Sequence, residues 1–205
     1  NASVSGTPNG CVPFTVPFNM TGSTGTTYKW DFGDGSPQVT VASPTHTYTN
    51  VGTYTAYLFV SDSTGTCGKF DTAKIVINVG APPVLATSQT SVFCNGGNNG
   101  TATVTASGGL TPYTYLWSNG QTNATATGLS AATYSVTVTN TYGCAATTTE
   151  TIIQPDVLAV NATFTNVGCY GGATGTATAT VTGGTAPFTY VWLPGGYTTS
   201  SVSGL

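Results

Sequence analysis

One stretch of this chain occurs twice at a fixed spacing. Cys94 and Cys169 stand 75 residues apart, and so do Trp117 and Trp192. Between those landmarks Gly96, Gly97 and Gly100 coincide with Gly171, Gly172 and Gly175, and the pair Gly108-Gly109 with Gly183-Gly184. Pro112 and Tyr115 likewise coincide with Pro187 and Tyr190 without a gap. Self-similarity at a constant period means tandem modules, each a small supersecondary unit, and it limits the chain to folds that can be strung in series.

The repeated stretch also fixes the kind of element. Thr101-Ala102-Thr103-Val104-Thr105-Ala106 and Thr176-Ala177-Thr178-Ala179-Thr180-Val181-Thr182 alternate strictly between Thr and a small apolar residue. A period of two places Ala and Val on one face of a strand and Thr on the other. Thr is β-branched and suits a wet strand face without carrying charge. The Gly-Gly pair breaks the strand and Pro112 or Pro187 begins the next segment. In Tyr113-Thr114-Tyr115-Leu116-Trp117 the aromatics fall at alternate positions, which predicts a half-buried strand ending at the turn pair Asn119-Gly120. No stretch has a helical period, so the chain reads as all-β.

Composition excludes several function classes. Charged residues make up 4% of the 205 residues, against roughly 25% in an ordinary soluble domain. There is no Arg, and the cations are Lys29, Lys69 and Lys74, so no basic patch exists to hold phosphates and no nucleic-acid partner is expected. Abundant Tyr, Phe, Trp and Val argue against disorder. No apolar run approaches the roughly 18 residues of a membrane helix, so no membrane insertion is expected. Asn1 is not Met and the second copy stops midway, so the sequence reads as a piece of a longer protein.

Residues 1–80 form a unit distinct from the repeats, with seven of the nine charged residues and the only His and Met. Strands are expected over 12–19, 26–30, 53–60 and 73–79, the third with Tyr54, Ala56, Leu58 and Val60 on one face. Many short strands with turn signals argue for a β-sandwich. Trp30-Asp31-Phe32-Gly33-Asp34-Gly35-Ser36, with Tyr28 before it and His46-Thr47-Tyr48, Gly52-Thr53-Tyr54 and Leu58-Phe59-Val60 after it, resembles the polycystic kidney disease (PKD) domain. That resemblance implies an immunoglobulin-like sandwich, of a kind found as spacers and adhesion modules and beside the catalytic domains of secreted hydrolases.

Residues 81–155 form one full repeat behind the stiff linker Ala81-Pro82-Pro83. Its Cys-x-Gly-Gly-x-x-Gly, Gly-Gly-x-x-Pro-Tyr-x-Tyr-x-Trp, Tyr134-Ser135-Val136-Thr137-Val138, Gly143-Cys144 and Ile152-Ile153-Gln154-Pro155 resemble the SprB-type repeat of gliding-motility adhesins in Bacteroidota. Residues 156–205 match the first part of a second, truncated copy. The resemblance implies type IX secretion and display at the cell surface.

Tyr-x-Trp-x-x-Gly recurs in all three units, so tandem immunoglobulin-like β-sandwiches in an elongated array are expected, with Trp30, Trp117 and Trp192 in their cores. Cys11 and Cys67 flank the Trp and Tyr strands of the first unit as Cys94 and Cys144 do in the second. That match predicts Cys11–Cys67 and Cys94–Cys144 disulfides in an oxidising compartment, with Cys169 unpaired within the sequence. Asp31 and Asp34 flank Gly33 and are weak calcium candidates; two carboxylates are few for calcium, and acceptance of local backbone N–H groups is the plainer reading. His46 has no second His to form a metal site or triad, Glu150 and Asp156 are isolated, and no cofactor or catalytic constellation is expected. Tyr113, Tyr115 and Trp117 on one strand face read as core before they read as a sugar platform. Asn1, Asn19, Asn99, Asn123 and Asn161 stand in N-x-[ST] sequons. Ser63 and Thr72, each after an Asp, resemble the O-glycosylation motif of Bacteroidota.

The sequence therefore predicts a non-enzymatic structural segment of a long repetitive adhesin or filament at the extracellular cell surface. Its partners would be neighbouring modules of the same chain and a surface polysaccharide or other cell-surface ligand. The alternative is an accessory or spacer region of a secreted hydrolase, with carbohydrate binding as one role.

Overall fold

The computed structural model describes residues 4–5, 8–20, 25–62 and 69–205, and among these there is no helix. The described residues form seventeen strands in succession: β1 Val4–Ser5, β2 Asn9–Cys11, β3 Phe14–Pro17, β4 Asn19–Met20, β5 Thr27–Asp31, β6 Thr45–Tyr48, β7 Gly52–Asp62 and β8 Lys69–Gly80 lie in the first 80 residues. Behind them come β9 Val84–Thr90, β10 Gly100–Ser107, β11 Thr114–Trp117, β12 Thr125–Leu129, β13 Ala132–Thr139, β14 Ala145–Ile152, β15 Ala159–Thr165, β16 Thr176–Thr182 and β17 Ser201–Ser203. The all-β, sandwich-type expectation holds. By backbone proximity the chain falls into two compact units: Asn1–Ala86 with Thr105–Asn123 and Val136–Thr148, and Thr87–Val104 with Ala124–Ser135 and Thr149–Leu205.

In the first 80 residues a four-stranded sheet in the order β2-β8-β7-β5 faces the antiparallel pair β3-β6. The alternation in β7 does what its sequence predicts: Ala56, Leu58 and Val60 are buried, while Tyr57 and Phe59 face outward. Ala56, Leu58 and Val60 join Val16 and Phe18, Trp30, Phe32, Tyr48, Ile77 and Val79 in one core cluster. The Phe18 ring lies 5.2 Å from those of both Trp30 and Phe32. One pairing is parallel: β2 runs beside the end of β8, with Cys11 opposite Gly80. The chain thus reaches Cys11 at the place where the module's last strand ends.

The first repeat has two three-stranded sheets, ordered β12-β10-β9 and β11-β13-β14. Ala102, Val104, Ala126 and Leu129 are buried from one, and Trp117, Val136, Val138 and Ile152 from the other. The second copy forms β15-β16-β17, matching β9-β10-β12 strand for strand. Its hairpin register is one residue longer: Ala102 pairs with Ala126, whereas Ala177 pairs with Val202. The segment after Trp192 carries one extra residue before the strand resumes.

The outward Thr faces are not idle. Thr15–Thr47, Thr90–Thr101, Thr103–Thr125 and Thr137–Thr147 join neighbouring strands through their hydroxyls at 2.8, 2.7, 3.0 and 3.0 Å. Cross-strand pairs of this kind each contribute roughly 0.2–1 kcal/mol relative to Ala–Ala, without using charge. This is how a chain with so few ionic groups holds its sheets in register.

The expectation that all three tryptophans are core residues is met by Trp30 and Trp117, at 0% and 1% exposure. It needs correcting for Trp192, which is only half-buried. Trp192 lies along a groove beside β16 and is not enclosed between two sheets.

Candidate functional site

The densest cluster of polar chemistry is the turn of residues 31–36, after β5. Gly33 and Gly35 have φ of 76° and 81°, a conformation that favours glycine. A Cβ on Gly33 would also stand 2.4 Å from the Thr55 carbonyl oxygen, so backbone packs where a side chain would go. All four carboxylate oxygens of the two aspartates accept hydrogen bonds. Asp31 Oδ1 accepts from Gly33 N–H at 3.0 Å and Oδ2 from Gln38 Nε2 at 3.0 Å. Asp34 Oδ1 accepts from Ser36 N–H at 3.1 Å and from Ser36 Oγ at 2.6 Å, and Oδ2 pairs with His46 Nε2 at 2.7 Å.

His46 is itself stacked on Phe32 with ring centroids 4.0 Å apart, and edge-on to Tyr48 at 4.8 Å. Tyr48 donates to the Phe32 carbonyl at 3.0 Å; burial, reinforced by Asp34 and Tyr54, pushes its phenol well above the ordinary value. Among the described residues no three His, Cys, Asp or Glu side chains gather as metal ligands. The aspartates serve the turn, and the turn serves the core beneath it.

The electrostatics give a pH prediction. The hydrogen bonds from Gln38 and Gly33 hold Asp31 below its ordinary value of 3.8. Burial pushes Asp34 up, but Ser36 and His46 outweigh it and hold it below the same value. A carboxylate with a depressed folded-state pKa stabilises the fold above its unfolded value and loses that contribution as pH falls through the folded one. Stability of this module is expected to fall as pH drops below the ordinary value of 3.8 and on through the lowered folded values, and to fall less in the Asp31→Asn/Asp34→Asn double variant. Denaturant midpoints against pH check this; equal acid slopes in the two proteins would remove the aspartates from the account.

The cysteines differ from the sequence expectation. Cys11 is bonded to Cys144, with Cα atoms 5.5 Å apart and 133 residues between them in sequence. Cys67 lies outside the described residues, and Cys94 and Cys169 are exposed free thiols. The expected Cys11–Cys67 and Cys94–Cys144 pairs are therefore corrected. The reason lies in the topology: the parallel β2–β8 pairing carries Cys11 to Gly80, and the turn 140–144 packs on Gly80 as well. A Cβ on Gly80 would stand 3.0 Å from the Tyr142 ring and 3.4 Å from Cys144 Sγ, so the turn packs closely over that position. Cys94 belongs to the other compact unit.

Asn140, which the sequence reading did not single out, builds that turn. It is 4% exposed. Its Oδ1 accepts from the N–H groups of Tyr142 and Cys144, both at 3.0 Å, and its Nδ2 donates to the Ala81 carbonyl at 2.9 Å. One side chain thus orders the cysteine's turn and ties it to the linker. An Asn three residues before Gly-Cys was the available signal.

The other candidates fall as follows. Tyr113 and Tyr115 are half-buried and Trp117 is buried, its Nε1 donating to the Asn123 carbonyl at 2.9 Å. Asn19, Asn99, Asn123, Asn161 and Thr72 are exposed, while Asn1 and Ser63 lie outside the described residues. Asn99 Oδ1 accepts from Phe93 N–H at 3.2 Å.

Family models match in the same order as these modules. The PKD domain matches residues 2–77 and the SprB repeat matches 86–122 and 161–196. The chain carries a PKD domain followed by SprB repeats. Among the described residues no helix is long and apolar enough to cross a membrane.

Similar solved structures are distant. The amphioxus IgVJ-C2 molecule is 16% identical over 70% of this chain and 98% of its own, with a TM-score of 0.35. The three N-terminal domains of the bacteriophage RB49 highly immunogenic outer capsid protein Hoc are 15% identical over 89% and 69%, with a TM-score of 0.40. The Clostridium thermocellum CbhA fibronectin(III)-like modules are 13% identical over 75% and 95%, also at 0.40. The fold of the PKD and SprB modules is read from their own strand order and cores.

Proposed function

We propose that this PKD–SprB segment is a non-catalytic spacer in a long, repetitive cell-surface adhesin, exported by the type IX route, that holds a binding region away from the cell. Surface polysaccharide is the ligand class that such an adhesin meets, and gliding motility is the setting in which SprB-type repeats serve. The observation that carries this reading is the order of modules: a PKD sandwich, then SprB copies in constant register. The 31–36 turn supports it, since its carboxylates hold the fold together. The nearly uncharged Thr faces support it too: a spacer gains from surfaces that do not adhere electrostatically to everything they pass.

A spacer is judged by length, not by sequence. Deleting these residues from the whole protein in its own cells is expected to weaken attachment severalfold. Replacing them with an unrelated β-sandwich array of equal length is expected to restore it, with antibody labelling of intact cells confirming display. Loss of attachment in the replacement strain despite normal display would make the segment itself the binding element and overturn the spacer reading.

A further inference from the structure

The strongest unexplained feature is an apolar groove of about 890 Å³ along the second SprB copy, with the free thiol Cys94 at its rim. Val157, Leu158 and Val160 line it at 67%, 59% and 68% exposure, together with Ala179 and Trp192. The first copy shows what such a face is for. Ala102, Val104, Trp117 and Leu129 are 0–2% exposed there, whereas their counterparts Ala177, Ala179 and Trp192 are half-buried and Leu205 is 43% exposed. In the first copy β14 supplies cover: Ile152 Cγ2 lies 2.7 Å from where a Cβ on Gly100 would stand. The matching Gly175 meets only the Leu205 backbone, the Leu205 side chain and the Thr165 carbonyl within 3.4 Å.

Cys94 repeats the situation of Cys11. Cys11 lies beside the end of β8, where Val12 N–H donates to the Gly80 carbonyl at 3.0 Å, and it bonds a cysteine of the next module. Cys94 lies beside the end of β14. There Val92 N–H donates to the Ile153 carbonyl at 3.1 Å, Asn95 Nδ2 to the Pro155 carbonyl at 3.0 Å and Gly96 N–H to Gln154 Oε1 at 2.9 Å. Thr185 of the second copy already reaches this loop, donating from Oγ1 to the Phe93 carbonyl at 2.8 Å.

We propose that each module bonds the next: Cys94 is the acceptor for the cysteine that holds the Cys144 place in the second SprB repeat, and the groove is the seat of the strands that carry it. The occupant is thus a segment equivalent to residues 130–155, with an apolar strand face to cover Ala179 and Trp192. Bond formation consumes two thiols and one equivalent of a disulfide oxidant such as glutathione disulfide, and releases two glutathione thiols: the partner's thiolate first attacks glutathione disulfide, giving a mixed disulfide and one glutathione thiolate. The Cys94 thiolate attacks the mixed disulfide of its partner with glutathione, the new S–S bond forms, and glutathione thiolate leaves. Cys169 stands one period further on and would serve the module after that. The proposal rests on the tandem-repeat architecture and is independent of what the adhesin binds.

The test lengthens the chain after Leu205 by a copy of residues 130–155, folds it in a glutathione redox buffer, and maps disulfides without reduction. The expected result is Cys94 joined to the added cysteine, Cys169 free, Cys11–Cys144 unchanged, and alkylation of Cys94 slowed more than about tenfold against the original chain. A Cys94→Ser version of the lengthened chain keeps the question open to refutation if the bond is needed for folding: its added cysteine should become alkylatable while Trp192 fluorescence still shifts to the blue. Pairing of the added cysteine with Cys169, or a free Cys94 beside a buried Trp192, would overturn the proposal. So would saturable binding of soluble polysaccharide in the groove of the lengthened chain.

Discussion

Replacing Trp30 with Ala is expected to destabilise the PKD module by about 3–5 kcal/mol, the usual cost of emptying a large aromatic site in a packed core. Trp30 is fully buried and sits with Phe18 and Phe32 at the centre of the cluster. Its Nε1 finds no hydrogen-bond partner among the described residues. That detail separates it from Trp117, whose Nε1 donates to Asn123. A buried, unpartnered donor is itself destabilising by roughly 1–3 kcal/mol, so Trp30→Phe removes a penalty along with some volume. Trp117→Phe removes volume and a satisfied hydrogen bond. Trp30→Phe is therefore expected to cost less than Trp117→Phe by about 1 kcal/mol or more. Denaturant unfolding followed by circular dichroism reads both. A Trp30→Ala protein with an unchanged midpoint would mean that the ring is not the centre of this core.

Removing the Cys11–Cys144 bond is expected to have the other large effect. Cross-linking two residues restricts the unfolded chain, and the restriction grows slowly with the loop closed. For the 133-residue separation here the chain-entropy model gives about 4–5 kcal/mol. Cys11→Ser and Cys144→Ser should lower stability equally, and the double variant should lower it no further, because the three proteins lack the same bond. The bond joins the PKD sandwich to a turn of the first SprB repeat, so both variants should uncouple PKD unfolding from that of the repeat. Unequal single-variant effects, with an additive double variant, would show that the two cysteines act separately.

Much of the fold was legible because period-two patterns survive in small, cheap residues. Thr176 to Thr182 became β16 at the bounds its alternation marks, and the Ala56-Leu58-Val60 face of β7 is core. The turn role of Asp31 and Asp34 was also legible, since Asx turns are local and need only the neighbouring N–H groups. The disulfide was not. Matched positions in aligned modules suggest matched partners, but pairing depends on which strand ends meet. The parallel β2–β8 contact that brings Cys11 to Gly80 leaves no periodic trace in residues 9–11. Nor could the exposure of Trp192 be read from a motif identical to that around Trp117. Burial belongs to whatever covers a face, and the cover comes from strands far along the chain.

Whether the modules of this chain are bonded one to the next is read from peptide mapping of the unreduced native protein. A cross-linked pair of peptides holding Cys11 and Cys144, with Cys94 not bonded to Cys144, is the expected result. Recovery of Cys11 joined to Cys67 and Cys94 joined to Cys144, each bond closed within its own module, would contradict it.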